Sequence, residues 1–247
     1  MTKEQKIEIL VKFKEFFVET ITVNHLKNLK KLKKLSAFKY NPFLFKYLAK
    51  FLTGKSDAKE LAKILIYPRI LGTSINTSFG QNLQNAAPNI FQSVLGSTTQ
   101  GIDLEFIDQI DKRKKYCQIK SGPQTINNDD VDTIKNHFKG LKGIARVNNV
   151  KLGTEDLIVG ILFGTEKQLS GNYKLLMQEY PLFIGKEFWY RLTGDEGFYS
   201  GLIEEFGNAA NEVNSKTLLE KQINVLAADI EINFINKELN ADFNREK

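Results

Sequence analysis

The chain has 247 residues, 42% of them hydrophobic, one cysteine, two histidines and a formal charge of +6. That length can bury a sizeable core. A single thiol excludes an intrachain disulfide and fits a reducing cytoplasm, and with only His25 and His137 beside it a zinc centre is not expected. The opening Met1-Thr2-Lys3-Glu4-Gln5-Lys6 leads into an amphipathic pattern instead of a signal sequence, and no apolar run approaches the ~18 residues of a membrane span. A cytoplasmic protein with no membrane partner is expected.

The charge is concentrated near the start. Residues 1–60 hold 14 Lys, no Arg and 6 Asp plus Glu, a balance of +8, which leaves −2 for residues 61–247. Residues 3–20 read as an amphipathic helix through Ile7, Leu10, Val11, Phe13, Phe16 and Phe17. A second helix is expected over 24–37, where Leu26, Leu29, Leu32 and Leu35 form a stripe and Lys27, Lys30, Lys31, Lys33 and Lys34 fill the gaps. Its lysines fit a solvated face or an arm on nucleic-acid phosphates, where released counterions supply the binding free energy. Asn41-Pro42 starts a third helix with Phe43, Tyr47 and Phe51 on one face, and a fourth runs from Asp57 to about 66, ended by Pro68. These four helices predict a basic helical subdomain over 1–70, with a core domain and its C-terminal helices over 71–247.

The core opens on the capping residues of Thr73–Ser78, followed by a helix over 77–94 that Pro88 interrupts. Thr98, Thr99 and Gln100 lead into a hairpin. Asp129 to about Val147 is a helix on Val131, Ile134, Phe138, Leu141 and Ile144, with Lys135, Lys139, Lys142 and Arg146 opposite. Asp156–Phe163 is a nearly continuous apolar run, as in a strand covered on both faces. Helices follow over 185–192, which packs Phe188 and Trp189 and where Trp189 reads as a core or subunit-contact residue, over Phe198 to about Val213, and over Leu218–Leu239. The last carries a long apolar stripe for the N-terminal helices or a second subunit.

The hairpin carries the chemistry. In Gly101-Ile102-Asp103-Leu104-Glu105-Phe106, alternation puts Asp103 and Glu105 on one face and Ile102, Leu104 and Phe106 on the other. Asp111–Lys114 turns the chain. In Tyr116-Cys117-Gln118-Ile119-Lys120-Ser121, Gln118 and Lys120 share a face, and Cys117 lies opposite as a buried, inert thiol. If the two polar faces coincide, an acid, an amide oxygen and a lysine converge. Such a group could hold a divalent cation beside a phosphodiester; it is also what a solvated sheet face with cross-strand pairs looks like.

Asp103 followed by Gln118-Ile119-Lys120 resembles the PD-(D/E)XK nuclease signature. The wider block, Gly101–Phe106 through Ile119-Lys120-Ser121-Gly122-Pro123-Gln124-Thr125-Ile126-Asn127, is similar to type II restriction endonucleases that cut GG-N-CC-like sites. Gly185-Lys186-Glu187-Phe188-Trp189, Leu192-Thr193-Gly194-Asp195, Phe198-Tyr199 and Leu202-Ile203 form a second matching block, so the likeness spans roughly residues 72–210. Two positions depart from the signature: Ile102 stands where it has proline, and Gln118 where it usually has an acid. The resemblance implies an α/β (α+β) fold with an αβββαβ core, one strand of which has no clear place in the sequence. It implies a Mg²⁺-dependent site with Asp103, Gln118 and the Ile119 carbonyl as metal ligands and Lys120 positioning water or stabilising the phosphorane, leaving 5′-phosphate ends. Glu105 either compensates for the missing acid or pairs with Lys114 or Lys120. Gln81 and Gln84 stand where related enzymes often bring an acid from the preceding helix.

Candidate DNA contacts are Ser121, Gln124, Asn127 and Asn128 after the hairpin, Lys135 and Lys139 on the next helix, and Lys30, Lys31 and Lys34 near the start. Asn148, Asn149, Lys167, Gln168 and Asn172 are further candidates for reading bases, and Asn127 and Asn128 equally suit a helix N-cap with Asp129. The resemblance also implies double-stranded DNA as partner, a twofold homodimer and a cognate DNA methyltransferase. A same-fold nuclease of repair or mobile-element processing, and a non-catalytic DNA-binding protein that lost its site with the acid at 118, are the alternatives.

Overall fold

The computed structural model describes residues 1–96, 99–212 and 215–236. In chain order the helices are α1 (Lys3–Phe16), α2 (Val23–Leu29), α3 (Pro42–Thr53), α4 (Ala58–Leu71) and α5 (Thr73–Leu95). Strands β1 (Leu104–Ile107) and β2 (Lys114–Lys120) follow, then α6 (Asn128–Val147), β3 (Leu157–Ile161), α7 (Gly171–Met177), β4 (Leu182–Ile184), α8 (Lys186–Thr193), α9 (Phe198–Glu212) and α10 (Ser215–Ile230). Local chemistry explains the ends. Thr2 and Gln5 close a capping box on α1, Asn41 caps α3 with Pro42 in its first turn, and Asp57 accepts from the Lys59 and Glu60 amides at the start of α4. Gly54 and Gly194 end α3 and α8 in the left-handed conformation.

The backbone divides into two compact units that interleave along the chain instead of parting near residue 70. One comprises Met1–Phe17 and Gly80–Gly207; the other comprises Val18–Phe79 and the described part of Asn208–Lys247.

The first unit is built on a four-stranded sheet in the order β1-β2-β3-β4, with β1 antiparallel to β2 and the remaining pairs parallel. No third strand precedes α6, since the segment between β2 and α6 is a loop, and the fourth strand of the sheet, β4, comes instead after α7. One face packs α6 and α7 through Val131, Ile134, Phe138, Leu141, Tyr173 and Leu176 onto Leu157, Val159 and Ile161. The other face meets α8. There Gly160 is required, because a Cβ would come within 2.4 Å of the Phe188 ring and 2.8 Å of the Cys117 sulfur. Trp189 is buried against Phe13, Phe91 and Phe198 and donates its indole N–H to the Leu162 carbonyl at 2.9 Å, so it is a core residue as expected.

Three expectations are corrected. The helix predicted over 24–37 stops at Leu29. Leucines three apart drift by about 60° per step on a helix of ~3.6 residues per turn, so four of them cannot hold one stripe. Past Leu29 the chain turns irregularly instead, which keeps Leu29, Leu32 and Leu35 all buried. The backbone freed from the helix is satisfied from α10: Gln222 donates to the Leu32 carbonyl at 2.9 Å and Asp229 accepts from the Leu35 amide at 2.8 Å. Pro68 does not end α4, which runs on to Leu71. A proline inside a helix removes one backbone bond and crowds the preceding turn, but Ile66 before it and Ile70 after it are buried in the same cluster and hold the helix together. The Ile70 carbonyl is paired with His25 Nε2 at 2.9 Å. Likewise α5 passes through Pro88 without interruption and starts at Thr73, so the expected capping run lies inside it.

The apolar stripe of α10, with Leu219, Ile223, Leu226 and Ile230, packs on the N-terminal helices, the first of the two expected outcomes. Thr98, Val213 and residues 237–239 lie outside the described residues.

Candidate active site

Backbone register builds the site. Leu104 pairs with Cys117, and the Asp103 amide extends the ladder by one bond, donating to the Cys117 carbonyl at 3.0 Å. Because side chains alternate, Asp103 and Glu105 then share the α6 face with Tyr116, Gln118 and Lys120, and the two polar faces of the hairpin coincide. Ile102 departs from its expected side and joins the cluster under α6, since the ladder reaches back only to Asp103 and alternation does not hold before it.

Beyond the Leu104–Cys117 pair the edge of β2 is open. Leu162 donates to the Lys120 carbonyl on the β3 side, so both peptide groups of Ile119 point towards the edge that β1 has left. The Ile119 amide donates to Asp103 Oδ2 at 2.8 Å. That bond places the acid directly beside the Gln118-Ile119-Lys120 segment, with the Ile119 carbonyl facing the same way. The Gln118 carboxamide nitrogen donates to the Gly101 carbonyl, which leaves its oxygen without a donor among the described residues. Gly101 itself has φ +80, and a Cβ there would meet the His137 ring at 3.3 Å. Asp103, Gln118 and Lys120 are therefore brought together.

Asp103 is half-buried, and its surroundings are unbalanced. Burial raises its carboxyl above the usual range, and the Ile119 amide, the Lys120 ammonium and His137 offset only part of that. Lys120 lies 3.1 Å from Asp130. Asp130 completes a capping box with Asn127 at the start of α6; burial alone would raise it, but the Asn127 amide and Lys120 hold it below the usual range.

Glu105 takes the pairing alternative. Lys114 reaches it at 2.6 Å, and the Thr99 amide and hydroxyl both donate to it at 2.6 Å. Burial opposes ionisation there, yet those donors outweigh it and hold Glu105 below the usual range. Its oxygens are committed, so compensation for the missing acid gains no support.

The other sequence candidates scatter. Ser121 is buried, so its hydroxyl does not face solvent. Gln124 is exposed, and its amide nitrogen sits 3.5 Å from the Gln168 carbonyl. Asn127 is spent on the cap, whose partner is Asp130 and not Asp129, while Asn128 is exposed in the first turn of α6. Lys135 pairs with Glu179, and Lys139 is exposed. Lys30, Lys31 and Lys34 are exposed on the irregular turn after α2, in the second unit.

Two neighbours of the site, Asp130 and His137, were not singled out for it from sequence. Both signals were present: Asn127-x-x-Asp130 is a capping-box spacing, and residues seven apart return to one helix face.

The donor set suits a hard cation: a carboxylate oxygen from Asp103, the free carboxamide oxygen of Gln118 and the Ile119 carbonyl. It supplies one formal negative charge, and among the described residues no cluster of three His, Cys, Asp or Glu exists. No described helix is long and apolar enough to cross a membrane. The family model of type II restriction endonuclease EcoO109I matches residues 6–214 of the chain. Among curated proteins none matches it.

Proposed function

The chain belongs to the type II restriction endonuclease EcoO109I family, and we propose that Asp103, Gln118 and Lys120 form its hydrolytic centre. As a member the protein is a sequence-specific DNA endonuclease, and enzymes of this kind generally use a divalent metal. The observation that carries the residue assignment is the 2.8 Å bond from the Ile119 amide to Asp103 Oδ2, which joins the acid to the Gln-Ile-Lys segment.

Mg²⁺ is the cation we assign, held by Asp103, Gln118 and the Ile119 carbonyl; when bound it neutralises phosphate charge and makes water easier to deprotonate. The chain's own residues do the rest. Ile119 fixes the orientation of Asp103 through its amide. Gly101 fixes Gln118 so that its oxygen and not its nitrogen is offered. Lys120 carries a positive charge to the scissile phosphate, where negative charge grows as water adds to phosphorus and the bond to the 3′ oxygen breaks. Asp130 holds that ammonium in place. The products are a 5′-phosphate and a 3′-hydroxyl.

DNA is the substrate. Its contacts we assign to the exposed Gln124, Asn128 and Lys139 near the site, with Lys30, Lys31 and Lys34 on phosphates. A twofold homodimer would present one centre to each strand, a cognate methyltransferase would protect host DNA, and the cytoplasm is the compartment in which we place the enzyme. Incubating phage or plasmid DNA with the protein and Mg²⁺, then sequencing the ends, tests this reading. Discrete 5′-phosphate ends at one sequence, abolished by chelator, are expected. Random ends, or cutting that persists in chelator, would overturn it.

A further inference from the structure

α3 is apolar over roughly two-thirds of its circumference. Inward, Phe45 and Ala49 are buried in the cluster that also holds α4 and α10. Outward, Phe43 is 92% exposed, Phe51 78% and Tyr47 59%, and Leu44, Leu48 and Leu52 beside them are also exposed. Spacing of four makes two neighbouring ridges, Phe43-Tyr47-Phe51 and Leu44-Leu48-Leu52, that cover about half of the helix surface. No charged residue falls inside that arc; Lys46 and Lys50 lie along one border of it. Single exposed apolar side chains are ordinary, but a contiguous face of this size marks a contact surface.

We propose that the outer face of α3 is the contact through which two copies of this chain associate, the helices running antiparallel across a twofold axis. The inference rests on the homodimer reading above and supplies its interface.

Area argues for a second copy. Three aromatic rings at roughly 150–250 Å² each when fully exposed, with three leucines, present on the order of 700 Å² per copy. A stable interface needs about 800 Å² per partner. Self-complementarity argues the same way, since a twofold contact must fit its own surface. Ridges spaced by four residues interdigitate with identical ridges, and the uncharged centre brings no like charges together. A lipid surface fits less well: a helix lying in a membrane interface needs a broad polar face opposite its apolar one, and here the far side is partly taken up by the buried Phe45 and Ala49, with Lys46 and Lys50 along one border only.

Light scattering on the full chain, paired with a crosslinking variant, tests the proposal. The native protein should have twice the 28.2 kDa chain mass, and Phe43→Glu/Phe51→Glu should fall to a single chain mass with an unchanged circular dichroism spectrum. The only natural thiol, Cys117, is buried. Mild oxidation of Tyr47→Cys, near the middle of the face, should therefore yield a disulfide-linked dimer, which Lys55→Cys in the turn after α3 should not. If the double variant fails to fold, the crosslink alone decides. A native dimer that survives the double substitution and gives no Tyr47→Cys crosslink rejects this interface and leaves the dimer reading standing. A native protein of single chain mass rejects both, and sedimentation of that monomer with phosphatidylserine vesicles would identify a lipid surface as the occupant instead.

Discussion

Two acids lie two residues apart on one face of the same hairpin, and their surroundings are opposite. Glu105 receives Lys114 and both donors of Thr99 and is held ionised below the usual range. Asp103 receives one described hydrogen bond, from Ile119, and burial keeps its carboxyl above that range. A carboxylate saturated by local donors is a brace for the strand. One that is half-buried, under-supplied and next to a lysine is poised to gain from a cation, which is the pattern expected of a working group.

The comparison can be broken by substitution. Asp103→Ala and Lys120→Ala should each cut single-turnover cleavage by on the order of 10³-fold, the scale of losing a preorganised charge-stabilising group. Filter binding or mobility shift should show DNA binding retained. Asp130→Asn should cost about tenfold in the same assay, at the lower end of what supporting residues around such sites contribute, because Lys120 loses its anchor.

Gln118→Glu restores a second charge and should lower the Mg²⁺ concentration for half-maximal cleavage by about tenfold, equivalent to ~1.4 kcal/mol. A midpoint that rises would show that the carboxamide oxygen is not a ligand.

Acidity sharpens the contrast. A carboxyl raised by folding stays protonated to higher pH than in the unfolded chain, so the native state binds the extra proton. Asp103 therefore weakens the metal-free fold as pH rises through its folded value, and its ionised, cleaving form is lost as pH falls through the same point. At limiting Mg²⁺, where the bound cation does not pull Asp103 back down, cleavage should fail on the acid side above the usual aspartate range, and Asp103→Ala should remove the matching acid-side step from a stability titration. Glu105 has the reverse sign: its depressed value stabilises the fold above the unfolded value and is lost only as pH falls through the lower folded one.

Much of the fold was legible from periodicity. The hairpin, α6 and the buried β3 follow from alternation, the 3.6-residue repeat and an unbroken apolar run; α6 and β3 sit within two residues of where those patterns place them, while the first hairpin strand starts at Leu104 instead of Gly101. The lysine-leucine segment misled because leucines every three residues satisfy a helix only locally; burial of all of them requires the chain to leave it. Pro68 and Pro88 misled because tertiary burial on both sides of a proline outweighs the lost bond. β4 is three residues long, too short for alternation to register. At the site, strand phase put Asp103, Gln118 and Lys120 on one face together with Glu105, and the resemblance singled out the three. The Lys120–Asp130 pair could not be read from sequence, because it depends on how the loop at 121–127 returns α6 to the sheet.

The most direct test sets the two isosteric substitutions Asp103→Asn and Glu105→Gln side by side in Mg²⁺-supported cleavage of one DNA, after matching their folded fractions. Glu105→Gln should cut within about threefold of the native rate and lose at most ~1 kcal/mol of stability, the scale of a partly exposed ion pair, whereas Asp103→Asn should not cut. Normal cutting by Asp103→Asn, or loss of cutting confined to Glu105→Gln, would contradict the assignment of the Asp103 end of the hairpin as the catalytic one.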